Sequence, residues 1–415
     1  MDNSTDRIGR RGVLKTLGAA SVIGLAGCGG DGGDGSSGDG GDGSSGDGGD
    51  GGDGGSGDGG DGGDSSSGDG GDGGDSSSGD GGDGDDGGST DGGSDTITAA
   101  WLYISEVGDL GWSWAHDQGR KAVAEQFDWL ETDFSSGVAP ADAERVTREY
   151  TNNGYDVVFG TSFEYMDPMY NVAEENPETV YEHCSGYRTR ENMGRYFGRM
   201  YQARYLAGVA AGMATEADTL GYVAAFPIPE VVRGINAFTL GAASVNDAVS
   251  TKVRWTNDWY DPTVEQEAAE SLVEQGVDVM AQHQDSPAAV RAASDADIWA
   301  TGYDAPMEEF AGDNYLTSPV WDWEVFYAPT LEAVRGGEWT ADFYYEGLDS
   351  GIVALDDWGD QVPEDVVSEV ESQRSALRNG DLDVWADSKF ADESGQFLFQ
   401  EMGSYVEPVE GSVPN

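Results

Sequence analysis

Residues 29–95 contain only Gly, Asp and Ser apart from Thr90, and this tract divides the chain. It has no apolar side chain to offset the roughly 1–2 kcal/mol of backbone entropy that each ordered residue would cost. It therefore reads as a tether. A Gly-rich coil of this length spans roughly 45 Å root-mean-square, and repulsion among its 19 Asp lengthens it. The Gly-Asp repeats lack the recurring apolar residue that a calcium-binding β-roll needs, so structured calcium binding is not expected.

Ahead of the tether, Arg10, Arg11 and Lys15 precede or open a short stretch of small and apolar residues that ends at Leu25-Ala26-Gly27-Cys28. That stretch is too short to cross about 30 Å of hydrocarbon. Paired arginines before a short apolar region read as a secretion signal of the twin-arginine type. The last four residues resemble a lipobox, which makes Cys28 the expected site of lipid attachment. An uncleaved N-terminal anchor is the alternative. Either reading puts the remainder outside the cytoplasm and at the membrane.

Residues 96–415 hold 58 acidic and 17 basic side chains, a net of about −41. Such an excess repels phosphate backbones and anionic headgroups, which argues against nucleic-acid binding and a polybasic membrane role. It suits molar salt, where the Debye length falls to about 3 Å and self-repulsion is screened. The chain reads as a halophile's protein, the alternative being an ordinary acidic secreted one. Cys28 and Cys184 are its two cysteines. They cannot build a disulfide framework, and Cys184, just after an apolar run, is expected to be a buried thiol.

Apolar runs of strand length at 97–104, 156–159, 180–183, 219–225, 251–255, 278–281 and 298–301 alternate with helical spacing at 113–127, 142–152, 169–175, 202–214, 235–246, 263–274 and 287–293. This rhythm predicts right-handed βαβ crossovers, mainly parallel sheets and two doubly wound α/β lobes. Ligands then belong at the carboxyl ends of the strands. There the chain places Gly111-Trp112-Ser113-Trp114, Thr161-Ser162-Phe163, Phe226-Pro227, His283-Gln284-Asp285 and Gly302-Tyr303-Asp304. Flat aromatic faces with carboxylates that accept N–H or O–H bonds suit a planar heterocycle or a sugar. About half of these aromatics are equally suited to capping the lobe cores.

From about Ala99 to Gly411 the chain resembles the basic membrane protein family of ABC-transporter substrate-binding lipoproteins, whose members include purine nucleoside receptors. The resemblance rests on 108–121, 161–168, Tyr205-Leu206-Ala207-Gly208 with Gly212, Gly221-Tyr222-Val223, Phe226-Pro227-Ile228-Pro229-Glu230, Gly276-Val277-Asp278-Val279 and Gly302-Tyr303-Asp304. The run from Trp112 to Arg120 is similar to a subgroup for which adenine-like purines are the implied ligands. Where nucleoside receptors of the family have a lysine after a Thr-Ser pair, this chain has Trp321 after Thr317-Ser318. That departure favours a free base or another small aromatic solute over a nucleoside.

The resemblance implies a type I periplasmic-binding fold with hinge crossovers. Its first lobe would cover about 96–217 plus a return at 318–345, its second about 218–317 plus 346–365, and 366–415 would form a C-terminal extension. It also implies ABC permease and ATPase subunits as partners, and the expected form is a monomer with no cofactor. Joined to the loop residues, it makes Trp112, Trp114 and Phe163 candidate aromatic contacts. Asp285 and Asp304 would accept N–H bonds from the ligand edge, with Phe226 and Trp321 closing the other face.

Enzyme chemistry finds little support. The three histidines, His116, His183 and His283, have no metal-ligand spacing with Cys. The globular part lacks a nucleophile elbow and a P-loop. Asp285 and Asp304 as paired catalytic carboxylates, and a surface adhesion protein without a solute, are the competing readings.

Overall fold

The computed structural model describes residues 96–108 and 110–414. The signal, the tether and Cys28 lie outside them. In chain order the first half holds β1 (Ile97–Leu102), α1 (Trp112–Gln126), β2 (Leu130–Ser135), α2 (Ala143–Asn152), β3 (Val157–Gly160), α3 (Met166–Glu175), β4 (Val180–Cys184), β5 (Met193–Gly198) and α4 (Met200–Ala214). Next come β6 (Thr219–Ala224), α5 (Pro229–Ala243), β7 (Ser250–Trp255), α6 (Pro262–Val273), β8 (Val279–His283), α7 (Ala288–Asp295), β9 (Trp299–Thr301), α8 (Glu308–Ala311) and β10 (Tyr315–Thr317). The remainder is β11 (Pro319–Trp321), α9 (Glu324–Gly336), β12 (Phe343–Glu346), β13 (Val353–Leu355), α10 (Glu364–Asn379) and α11 (Gly395–Gln400).

Two sheets result, ordered β12-β5-β4-β3-β1-β2 and β10-β9-β8-β6-β7, and the strand pairs in both are parallel. Helices cover both faces, so the central strands read as nearly continuous apolar runs: β3 is Val-Val-Phe-Gly and buried throughout. This is the two-lobed α/β architecture that the strand-helix rhythm predicts. Of the edge strands, β2, β10 and β12 escaped that reading, whereas β7 was expected at 251–255. β2 is Leu-Glu-Thr-Asp-Phe-Ser, with Leu130 its one buried residue. Helix α5 starts at Pro229, earlier than the spacing suggested, because proline's fixed φ suits the first helical position.

The chain crosses between the lobes repeatedly. After β10 it passes into β11, which pairs antiparallel with β13 in a small separate sheet. Between these strands β12 joins the first sheet beside β5. Residues 366–415, expected as an extension, instead supply Val366, Val370, Leu377, Trp385, Met402 and Val406 to the core built on α4, α5 and the second sheet. Helices α4 and α5 approach closely at glycines. A Cβ on Gly208 would overlap the Phe238 carbonyl, and one on Gly241 the Tyr205 carbonyl.

Candidate functional site

The carboxyl ends of β1, β3 and β4 face those of β6, β8 and β9 across a cleft. The two sides touch there. Gly111, at φ 89°, lies so close to the Asp285 backbone that an added Cβ would sit 2.5 Å from its carbonyl oxygen. The Trp112 N–H donates to Asp285 Oδ1 at 3.4 Å, and Ser185 Oγ, just after β4, donates to Glu230 Oε2 in the first turn of α5.

Between these contacts lies a cavity of about 30 Å³, lined by residues that include Trp112, Phe163, Trp259, Tyr303, Asp285 and Asp304. That is room for a water or two rather than a ring. Past Phe163, Ser185 and Glu230, which line both spaces, a wider cavity of about 400 Å³ opens toward Tyr187, Ile228, Arg233 and Phe399. The cleft must part to admit a solute of more than a few atoms.

Each carboxylate is half satisfied. Asp304, left-handed at φ 63°, is buried with its N–H donating to the Pro319 carbonyl at 3.0 Å, and its Oδ1 accepts the Trp321 indole N–H at 2.8 Å. Oδ2 of Asp304 and Oδ2 of Asp285 are buried without a partner. Burial, with the neighbouring negative charges, pushes the Asp285 carboxyl up to about 7. Burial and the nearby Asp285 charge raise Asp304 well above the usual carboxylate range. His283 stands 4.4 Å from the Tyr303 ring, and burial keeps it neutral, so its 3.8 Å approach to Glu230 is not an ion pair. Such a site offers aromatic faces and two buried carboxyl oxygens without partners, an arrangement for holding a flat solute by the polar groups on its edge.

Of the residues singled out from sequence, Trp112, Phe163, Asp285 and Asp304 line this cavity together. Trp112 is oriented by its indole N–H on the Thr161 carbonyl at 2.6 Å. Trp321 is buried, stacks on Trp323 at 4.5 Å and serves Asp304 from behind. Phe226 packs on Trp259 at 5.0 Å, and it is Trp259 that reaches the cavity. Trp114 packs against the first-lobe core. Tyr303, His283, Glu230 and Ser185 went unselected. Tyr303 and His283 sit in the strand-end loops already singled out, whereas Ser185 and Glu230 meet only through the fold. Among the described residues no cluster of His, Cys, Asp and Glu fits a metal ion, and no helix is long and apolar enough to cross a membrane.

Two facing parallel α/β lobes, a hinge sheet and a polar-edged aromatic cleft define a solute-binding protein. Residues 96–385 match the family model described as ABC transporter substrate-binding protein, PnrA-like, and the chain belongs to that family, whose role is binding rather than catalysis. It is 60% identical over 321 residues, 77% of this chain and 82% of the relative, to TsgA13 of Haloferax volcanii, provisionally named an ABC transporter glucose-binding protein. It is 40% identical over 290 residues, 69% of this chain and 83% of the relative, to a purine-binding protein of Brucella abortus. Among solved structures, the fold matches an ABC transporter solute-binding protein of Aeropyrum pernix at TM-score 0.62 and 20% identity, covering 69% of this chain and 92% of that one. One from Conexibacter woesei matches at 0.60 and 23%, covering 69% and 98%.

Proposed function

We propose that this chain is the extracytoplasmic receptor of an ABC importer, held to the membrane by a lipid on Cys28 and the 29–95 tether, and that it captures a purine base. The observation that supports a purine most is the pairing of two half-satisfied carboxylates with the Trp112, Phe163, Trp259 and Tyr303 rings in one cleft. A purine has a face to stack and an edge of N–H donors, and it fills both roles at once. Trp321 stands where a lysine would contact ligand hydroxyls, which favours the base over the nucleoside. The tether and signal fit delivery to a permease at the outer membrane face, and the acidic surface fits a salt-rich exterior.

A glucose-like sugar is the second reading. The relative named for glucose supports it, and sugars also pair aromatic faces with carboxylate acceptors. Thermal shift of the full chain in molar KCl separates them. Stabilisation by adenine, guanine or hypoxanthine and none by glucose supports the purine. The reverse pattern moves the assignment to the sugar and leaves the receptor role intact.

A further inference from the structure

His283 ends β8 with its two ring nitrogens in different settings. Nε2 faces the Glu230 carboxyl at 3.8 Å, and both residues line the solute cavity. Nδ1 is buried without a hydrogen-bond partner, as are Nε of Arg204 on α4 and the Tyr222 hydroxyl on β6. These three atoms come together beside Gly234 of α5. The point that a Cβ on Gly234 would occupy lies 3.4 Å from Tyr222 Oη, 3.7 Å from Arg204 Nε and 3.8 Å from His283 Nδ1. Arg204, Gly234 and His283 also line a cavity of about 10 Å³, which is room for one water. Polar atoms buried this deeply cost free energy unless something hydrogen-bonds them. Arg204 can only donate, and its Nη1 already serves the Gln282 carbonyl at 2.6 Å, so whatever meets its Nε must accept.

We propose that one water is held at Gly234 between Arg204, Tyr222 and His283, and that it fixes His283 as the Nε2–H tautomer, which makes His283 a hydrogen-bond donor in the solute cleft. The water accepts the Arg204 Nε–H and donates to His283 Nδ1, and Tyr222 Oη completes its shell. Electrostatics at both ends of the ring favour the same tautomer. The Nδ1 lone pair lies on the side of the Arg204 cation, and the Nε2–H dipole on the side of the Glu230 carboxyl. A glycine inside a helix ordinarily weakens it, and the space that this one leaves is the place of the water. The consequence for specificity rests on the reading of this cleft as the solute site. Beside the Asp285 and Asp304 carboxyls, a fixed N–H suits a solute whose edge sets an acceptor next to donors, as an aminopurine does.

Nitrogen NMR of the full chain labelled with ¹⁵N-histidine, solute-free and in molar KCl, reads the tautomer, the His283 signals being those lost in His283→Gln. A protonated Nε2 and a bare Nδ1 at neutral pH support the proposal, and a protonated Nδ1 overturns it. Melting of Gly234 variants reads the water. An alanine Cβ would meet nothing outside its own helix closer than 3.4 Å, and helix propensity alone ranks stability as Ala, then Ser, then Gly. With the water in place, Gly234→Ala evicts it and should melt a few degrees below the wild type. The hydroxyl of Gly234→Ser takes over part of its bonding, so that variant should melt above Gly234→Ala. The order set by propensity would overturn the water. Gly234→Ala should also weaken adenine, or glucose if adenine does not bind, about tenfold, because the donor is no longer fixed. Unchanged affinity overturns the role given to His283. Silence with both solutes overturns the reading of the cleft and leaves the water to be decided by the solute-free measurements.

Discussion

The Trp321 indole N–H donates to Asp304 Oδ1 at 2.8 Å, with both side chains buried, so a residue of the hinge strand β11 aims a carboxylate of the ligand cleft. Recognition and hinge are thereby joined through one hydrogen bond. Asp304→Ala should weaken the solute tenfold to a hundredfold without unfolding the protein, since one unpaired buried partner costs about 1–3 kcal/mol. Trp321→Phe keeps an aromatic ring on Trp323 but removes the donor, and should cost about tenfold. Calorimetry on both variants, with circular dichroism to verify folding, checks the pair. Unchanged affinity in Asp304→Ala would remove Asp304 from the site.

Stability should fall as pH rises. Burial pushes Glu182, which accepts the Trp339 indole N–H at 2.9 Å, up to about 8, and Glu265 up to about 7. A carboxyl whose folded pKa is raised contributes stability that is fully present below its unfolded pKa of about 4.3 and is lost as pH passes through the folded value. Glu182→Gln retains an oxygen for Trp339 and has no charge to bury. Its melting temperature should exceed that of the wild type at pH 8, by roughly 1–3 kcal/mol of stability, and the gap should close near pH 5. A gap that does not depend on pH would contradict the buried-carboxyl account.

Salt should act strongly. A net of about −41 over residues 96–415 means that screening relieves carboxylate repulsion, so the melting temperature should climb steeply from low to molar KCl. A flat profile would rule out the halophilic reading.

The two cysteines should behave oppositely. Cys28→Ser should release the protein to the medium or leave the precursor unprocessed, as fractionation and intact-mass measurement would reveal. Cys184 is fully buried, and burial raises its thiol pKa, so native labelling by a thiol reagent should be slow. Fast labelling would mean that β4 opens readily.

The strand-helix alternation was legible because buried parallel strands such as β3 are apolar on both faces, and so were the strand-end loops that carry Trp112, Phe163, Asp285 and Asp304. Partners supplied by distant segments were not. Ser185 and Glu230 lie 45 positions apart and meet only through the fold. Trp321 was expected over the ligand face, but its neighbour Trp323 offers a stacking surface that draws the indole into the core. Trp259 replaces Phe226 at the cavity because the two rings pack on each other and only one can face inward.

The most direct test is titration calorimetry of the full chain, in molar KCl, against adenine, guanine, hypoxanthine, their nucleosides and glucose. The account predicts that at least one purine base binds more tightly than about millimolar, that the nucleosides bind more weakly, and that Asp304→Ala removes most of the affinity. Binding of glucose with no purine detectable below about millimolar would contradict it.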